Sequence, residues 1–324
     1  MTIKSKKNLI KQKIKLSLFK KNILSVYEEE YKAPKQLYIE CTNLCNAKCV
    51  FCYYPVVADS LDKKYMRISD FKNIVEDYIS MGGEKIALTP TMADPLTDKF
   101  LYERINYLKN SKIKSVSFYT NLISFKKDVR ESLLNLGQSL KVKINISFTG
   151  FDRDSYFKFM GVDKFDIVKS NLEKISQINN GNSSLNIEVT MRHYEGCDES
   201  AKTFIKYLNS INLDYKIHYG FDTWGGLLED NISNYKELSV KERVERIGPC
   251  EISYTKPLIS VNGDFKLCDC RDALDELIVG NVFESSIKEI WNGDKIKQMR
   301  YRFYSDKTIP NVCSKCEYYK SIYS

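Results

Sequence analysis

The chain has 324 residues, 43% hydrophobic, 12% aromatic and 28% charged, with 14 Gly and 7 Pro, a balance that fits a folded protein with a buried core and excludes collagen-like, mucin-like and disordered classes. No run approaches the ~18 to 20 apolar residues of a membrane-spanning helix, and the lysine-rich start lacks the apolar core of a signal peptide, so the expected location is the cytoplasm. The formal charge is +8, but residues 1–35 hold ten lysines against Glu28, Glu29 and Glu30 and the remainder is nearly neutral; nucleic acid, which calls for basic side chains spread along a groove, is not an expected partner.

In chain order, Ile10, Ile14, Leu18 and Ile23 among the lysines predict a basic N-terminal helical arm over 1–34. A strand over 36–40 then runs into a cysteine-rich loop. A helix over 69–81, with Phe71, Ile74, Val75 and Tyr78 on one face, is stopped by Gly82-Gly83. Strands over 85–88, 115–119, 142–148, 185–191 and 215–219 follow, separated by helices over 99–109, 128–136, 165–178 and 199–208. Six strands alternating with helices predict a parallel sheet with right-handed crossovers, whose chemistry sits just after each strand. Past residue 226 the pattern changes. An apolar run over 257–261, Asn262-Gly263 and Phe265-Lys-Leu-Cys268 predict a hairpin, and Ser286 with Glu289 predicts a capped helix through Trp291. The expected division is 1–34, 35–226 and 227–324.

Nine of the ten cysteines fall in two groups, and clustered thiols in a chain without a secretory signal point to metal ligation rather than disulfides. Cys45, Cys49 and Cys52 offer three thiolates in a C-x3-C-x2-C spacing, whereas a structural zinc site closes with four ligands and the chain has only two histidines. A four-iron cluster on three thiolates leaves one iron open for a small molecule. Cys41 reads as a strand-end thiol. In the second group Cys250, Cys268, Cys313 and Cys316 are the expected ligands, with Cys270 as the substitute for Cys268; an iron–sulfur cluster and an all-thiolate zinc site both fit that set.

The stretch Glu40-Cys-Thr-Asn-Leu-Cys-Asn-Ala-Lys-Cys-Val-Phe-Cys52 resembles the signature of the radical S-adenosylmethionine (radical SAM) superfamily. The resemblance implies an α/β fold, a partial (β/α)6 TIM-like barrel, with a [4Fe-4S] cluster on Cys45, Cys49 and Cys52 and Phe51 beside it. It also implies S-adenosylmethionine contacts at the strand ends. Ala93 and Asp94 occupy the place of the Gly-Gly-Glu-Pro motif, Asn121 that of the Thr-Asn-Gly contacting the ribose, and Ser147 and Arg192 the adenosyl and methionyl-carboxylate positions; Ala93 and Leu122 stand where that family has glycine. The C-terminal group resembles the SPASM auxiliary-cluster domain in its shortened twitch form, implying one auxiliary [4Fe-4S] cluster.

The implied chemistry is a 5′-deoxyadenosyl radical that abstracts hydrogen, fed by a flavodoxin- or ferredoxin-type electron donor. An oxidation would also need a proton acceptor, for which Asp222 and Arg271 are the candidates, and Asp222 or Trp224 could face substrate. About 35 residues before the first strand are fewer than a winged-helix peptide-binding domain needs. A small molecule such as a sugar, aminocyclitol or sugar nucleotide is therefore the leading expectation. Modification of a peptide or protein side chain, or a non-catalytic zinc or iron–sulfur scaffold, are the alternatives.

Overall fold

The computed structural model describes residues 33–304 and 308–322, so the expected helical arm lies outside the described residues but for its last two. Six strands, β1 (Leu37–Ile39), β2 (Lys85–Ala87), β3 (Ser115–Thr120), β4 (Lys141–Phe148), β5 (Leu185–Arg192) and β6 (Asp214–His218), pair in parallel in sequence order. The sheet does not stop at β1. Its far side takes a seventh strand in parallel, β7 (Leu258–Ile259), to which β8 (Asp264–Lys266) and β9 (Ile278–Asn281) add antiparallel. The result is one open nine-stranded sheet, a partial barrel with the C-terminal hairpin grafted on its first edge.

Between the strands run α1 (Tyr54–Val57), α2 (Ile68–Ser80), α3 (Leu101–Lys109), α4 (Lys127–Leu134), α5 (Arg153–Met160), α6 (Phe165–Asn179) and α7 (Asp198–Ser210), followed by α8 (Glu229–Ser233), α9 (Ile252–Thr255), α10 (Ile287–Asn292), α11 (Asp294–Arg302) and α12 (Asn311–Ser314). Strand periodicity sorts the two faces. Val142, Ile144, Ile146 and Phe148 of β4, and Leu185, Ile187, Val189 and Met191 of β5, are buried against the helices. Phe148 stacks on Phe204 of α7 with ring centroids 4.4 Å apart, and each such side chain stabilises the fold by about 1.5–3 kcal/mol over its exposed state. The opposite parity, Tyr38 on β1, Ser117 and Tyr119 on β3, Asn145 and Ser147 on β4, Glu188, Thr190 and Arg192 on β5 and His218 on β6, makes a polar inner face. No helix among the described residues is long and apolar enough to cross a membrane.

Most expected elements are present within a residue or two, but α5 is an addition: two helices, not one, connect β4 to β5. Asp152 accepts the Ser155 backbone N–H (2.8 Å) and the Ser155 hydroxyl faces back, a reciprocal cap. Gly161 ends the helix at φ +68. That end backs the cysteine loop, since Lys48 and Val50 donate their N–H groups to the carbonyls of Met160 and Phe159 (3.0 Å each). A Cβ at Gly161 would lie 2.3 Å from the Lys48 carbonyl oxygen, whereas one at Gly181, also left-handed at φ +79, would meet nothing within 4 Å. Gly181→Ala should therefore cost only backbone strain, about 1 kcal/mol. Gly161→Ala should cost visibly more and push the loop outward. Thermal melts of the two variants check this, and equal shifts would mean that the loop yields freely.

Candidate active site

The loop from Thr42 to Cys52 leaves β1 at the carboxyl end of the sheet and is pinned on three sides. Leu44 gives its carbonyl to the Asp94 N–H and the Thr97 hydroxyl (2.9 Å each), the α5 end holds Lys48 and Val50, and Trp224 Nε1 donates to the Phe51 carbonyl (3.0 Å). Cys45, Cys49 and Cys52 are mutual neighbours. Burial, then Asp94, pushes the Cys45 thiol up to about 12; burial, then Cys52 and Cys45, raises Cys49 well above its usual value; burial again brings Cys52 to about 11. Without a metal these thiols hold their protons, so ligation must displace them. Cys41 is elsewhere, buried in the core with its thiol turned to the Ile39 carbonyl. The remaining ungrouped cysteine, Cys197, is likewise a core residue.

The strand-end residues come together around this loop. The Asp94 carboxylate, at the position of that family's motif, is engaged within the protein. It caps its own turn at the Leu96 N–H (2.9 Å), accepts from the Thr120 hydroxyl (2.9 and 3.0 Å) and takes the Asn121 N–H (2.6 Å). Burial raises it to about 6 in spite of these donors. Ala93 keeps an ordinary negative φ, whereas Leu122 adopts the left-handed φ of +58 that glycine would normally supply. Asn121 turns its amide onto Asn46 Oδ1 (2.9 Å) and the Cys45 sulfur (3.7 Å). Ser147 and Arg192 stand on the inner face, in register with Thr190 and His218. The Arg192 guanidinium lies 5.9 Å from the Phe51 ring centroid and 5.7 Å from that of Phe221, and reaches the Tyr318 hydroxyl (3.3 Å).

The second thiol group gathers beside the first. Cys250, Cys268, Cys270, Cys313 and Cys316 line one cavity, assembled by the hairpin, by α12 and by a bridge that pairs Cys250 with Ser321. The hairpin closes through the four-residue turn Ser260–Gly263, with the Gly263 N–H on the Ser260 carbonyl (2.9 Å). Burial, followed by the neighbouring Cys268, raises Cys313 well above its usual value and Cys316 to about 12. Cys270 lies 3.8 Å from Cys268, sulfur to sulfur, and lowers the Cys268 thiol through that contact.

Asp222 and Arg271 do not suit the proton-accepting role expected of them. Arg271 Nε and Nη2 clasp the two Asp222 oxygens at 2.5 and 2.9 Å. Burial pushes the Asp222 carboxyl up, but Arg271 outweighs it and holds the group below the usual carboxylate range. A guanidinium is never a base at neutral pH. Trp224 is buried and packed rather than facing a cavity mouth.

The donor sets fit iron–sulfur clusters. A tetrahedral zinc ion holds sulfurs ~3.8 Å apart, given Zn–S bonds of ~2.3 Å. Among the described residues the only three ligand atoms that all lie within 4.8 Å of one another are those of Cys268, Asp269 and Cys270. The Cys45, Cys49 and Cys52 sulfurs, and the four of the second group, are spread wider than one ion spans, as a polynuclear cluster requires. Two contributors were not read from the sequence. Glu40, buried at the end of β1, accepts the Thr91 N–H (3.1 Å) and steadies the β2 loop. Tyr318 brings the C-terminal segment to Arg192. The acid before Cys41 is a local signal for the first; none exists for the second.

Comparison with known proteins places this geometry. The sequence profile of the radical SAM superfamily matches residues 39–205, more than half of the chain, and that of an iron-sulfur cluster-binding domain, SPASM, matches residues 250–317. The chain is 26% identical over 169 residues to the GTP 3′,8-cyclase of Pasteurella multocida, covering 50% of this chain and 47% of that protein. It is 28% identical over 137 residues to a probable GTP 3′,8-cyclase of Methanococcus maripaludis, covering 42% and 44%. It thus spans about half the length of the curated relatives it matches. Among solved structures, Streptococcus suis SuiB bound to its precursor peptide SuiA superposes with a TM-score of 0.66 at 16% identity, covering 91% of this chain and 72% of that one. BtrN in complex with AdoMet and 2-DOIA gives 0.55 at 16% identity, covering 88% and 93%; both likenesses concern the fold. With a three-thiol loop at the mouth of a partial parallel barrel and the profile match over that whole region, the chain belongs to the radical SAM superfamily and carries a C-terminal iron–sulfur cluster-binding domain.

Proposed function

We propose that this chain oxidises a small polar molecule held on the inner face of the barrel, with Cys45, Cys49 and Cys52 as ligands of the [4Fe-4S] cluster that binds S-adenosylmethionine and Cys250, Cys268, Cys313 and Cys316 as ligands of one auxiliary cluster. When bound, these groups supply the reductive cleavage of the sulfonium, the hydrogen-abstracting carbon radical and an acceptor for the second electron. The observation that carries the reading is the polar parity shared by the strands on the inner face, with Tyr38 of β1 set against Asp269 and Cys270 of the second thiol group. Its hydroxyl, amide and carboxylate groups, Tyr38, Tyr119, Asn145, Ser147 and Glu188, suit a hydroxyl- or amine-rich substrate such as a sugar, aminocyclitol or sugar nucleotide. The curated relatives, named for a reaction of GTP, also act on a small molecule.

Within this reading the chain's own residues bind and orient. Asn121 would hold the nucleotide and Arg192 the methionyl carboxylate, the latter as a charge-assisted fork. Phe51 and Phe221, with ring centroids 5.2 Å apart, close the apolar side and exclude water. The Asp94 backbone fixes the loop while its side chain stays committed to the fold. His218 takes the place of Asp222 and Arg271 as proton acceptor. It shares the inner face with Arg192 and Glu188, and burial, then Arg192 and Lys216, keep its pKa below the ordinary 6.5, so the ring is neutral at neutral pH and able to accept a proton.

Anaerobic reconstitution followed by assay for 5′-deoxyadenosine tests the core of this reading; no reductive cleavage with both sites loaded would end it. Cys45→Ala, Cys49→Ala or Cys52→Ala should abolish cleavage. Cys313→Ala or Cys316→Ala should remove about half of the iron, since each site holds one four-iron cluster, and leave slow cleavage without product. Full turnover in those variants would refute an auxiliary role. His218→Gln should keep 5′-deoxyadenosine formation but reduce product per cleavage by about 10² or more. In the wild-type chain product yield should fall only below pH 6.5, as the lowered His218 finally takes up a proton. A yield that already falls above that pH would place the proton acceptor elsewhere.

A further inference from the structure

The two thiol groups meet through one buried knot that supplies no ligand to either. At its centre the Arg271 guanidinium holds both Asp222 oxygens, at 2.5 and 2.9 Å, and donates to the Cys270 carbonyl. Its flat faces are covered by two rings, Trp224 at 4.6 Å and Tyr318 at 4.4 Å to the centroids. Each partner is rooted in one of the two sites. Trp224 Nε1 bonds the Phe51 carbonyl, next to Cys52 (3.0 Å), and Tyr318 follows Cys316 by two residues. Thr223, beside Asp222, gives its N–H and its hydroxyl to the buried Glu317, the residue after Cys316. The backbone here is tightly constrained: Trp224, Gly225 and Gly226 all have positive φ, at +55, +67 and +96. A Cβ on Gly225 would stand 2.8 Å from the Val312 carbonyl, one residue before Cys313.

A buried ion pair stabilises a fold little better than apolar side chains of equal volume. A fixed charge in a gap of low dielectric, by contrast, acts strongly on any group that gains an electron beside it. We propose that Arg271 and Asp222 are positioning residues shared by both clusters. Arg271 raises the two reduction potentials by favouring the more negative reduced states, and Asp222 opposes it. The pair would thereby act on both potentials at once, which suits a site whose two clusters would handle the electrons of one reaction. This rests on the ligand assignment proposed above.

The test is a redox titration, followed by electron paramagnetic resonance, of the anaerobically reconstituted full chain. The auxiliary signal is isolated by repeating each titration in a Cys45→Ala, Cys49→Ala, Cys52→Ala background. Asp222→Asn, which leaves the cation unopposed, should shift both midpoints upward. The expected size is at least a tenfold change in the reduced-to-oxidised ratio at the wild-type midpoint, ~59 mV for a one-electron couple. Arg271→Gln should shift both downward, by less, because the orphaned buried carboxylate takes up a proton. Arg271→Lys should stay near the wild type, and the Arg271→Gln, Asp222→Asn double variant should return toward it. A merely structural pair would shift every variant in the same direction. Should Arg271→Gln fail to fold, the upward shift of Asp222→Asn against the unmoved Arg271→Lys carries the same sign test. Movement of one cluster alone, or shifts of like sign in the opposed variants, would overturn the proposal. Iron content separates the two levels: wild-type chain with only one cluster defeats the ligand assignment, whereas two full clusters with unmoved potentials defeat only the role of the pair.

Discussion

A single buried carboxylate organises the mouth of this barrel. Asp94 joins the segments that leave three neighbouring strands: its N–H holds Leu44 after β1, its carboxylate closes the turn after β2, and the same oxygens receive Thr120 and Asn121 at the end of β3. Burying such a group unpaired would cost several kcal/mol. With its oxygens bonded to main-chain N–H groups and a hydroxyl, that penalty is offset, and the loops it joins lose their freedom to move apart. The approach to Cys45 depends on this knot, because Asn121, which touches the Cys45 sulfur, is positioned through its own N–H on Asp94. This acid thus works one layer behind the thiols.

The sequence disclosed what is local and concealed what is assembled. The C-x3-C-x2-C spacing is confined to eight residues and its chemistry follows from the ligand count, so it could be read without coordinates. Strand and helix periodicities were equally plain, because a parallel sheet buries one whole parity of each strand under helices. The α5 helix carries a local signal at both ends, in Asp152, Ser155 and Gly161, but it follows a barrel strand directly, where the expectation is a site rather than a helix. Pairings across long separations had no local signal at all. Asp222 and Arg271 are 49 residues apart, and Arg192 and Tyr318 are 126 apart. As isolated charges they invited a catalytic reading; as partners they neutralise each other.

The C-terminal segment is bound to the barrel by backbone, beyond any contact of side chains. Tyr38 and Glu40 of the first strand region donate N–H groups to Pro257 and Ile259 (2.9 and 2.8 Å), so the strand that feeds the three-thiol loop is also the template for the hairpin that presents Cys268. A ladder of this kind fixes register as well as proximity, since a slip of one residue would turn every side chain to the other face. The separation between the two thiol groups is therefore set by main-chain geometry at β1. The turn around Trp224 then acts at the opposite rim, where among the described residues no strand pairing links the two segments. With one rim held by a hydrogen-bonded ladder and the other by a buried ion pair between aromatic rings, the space between the thiol groups keeps its shape, and the cations Arg192 and Arg246 share the charge around it with that pair.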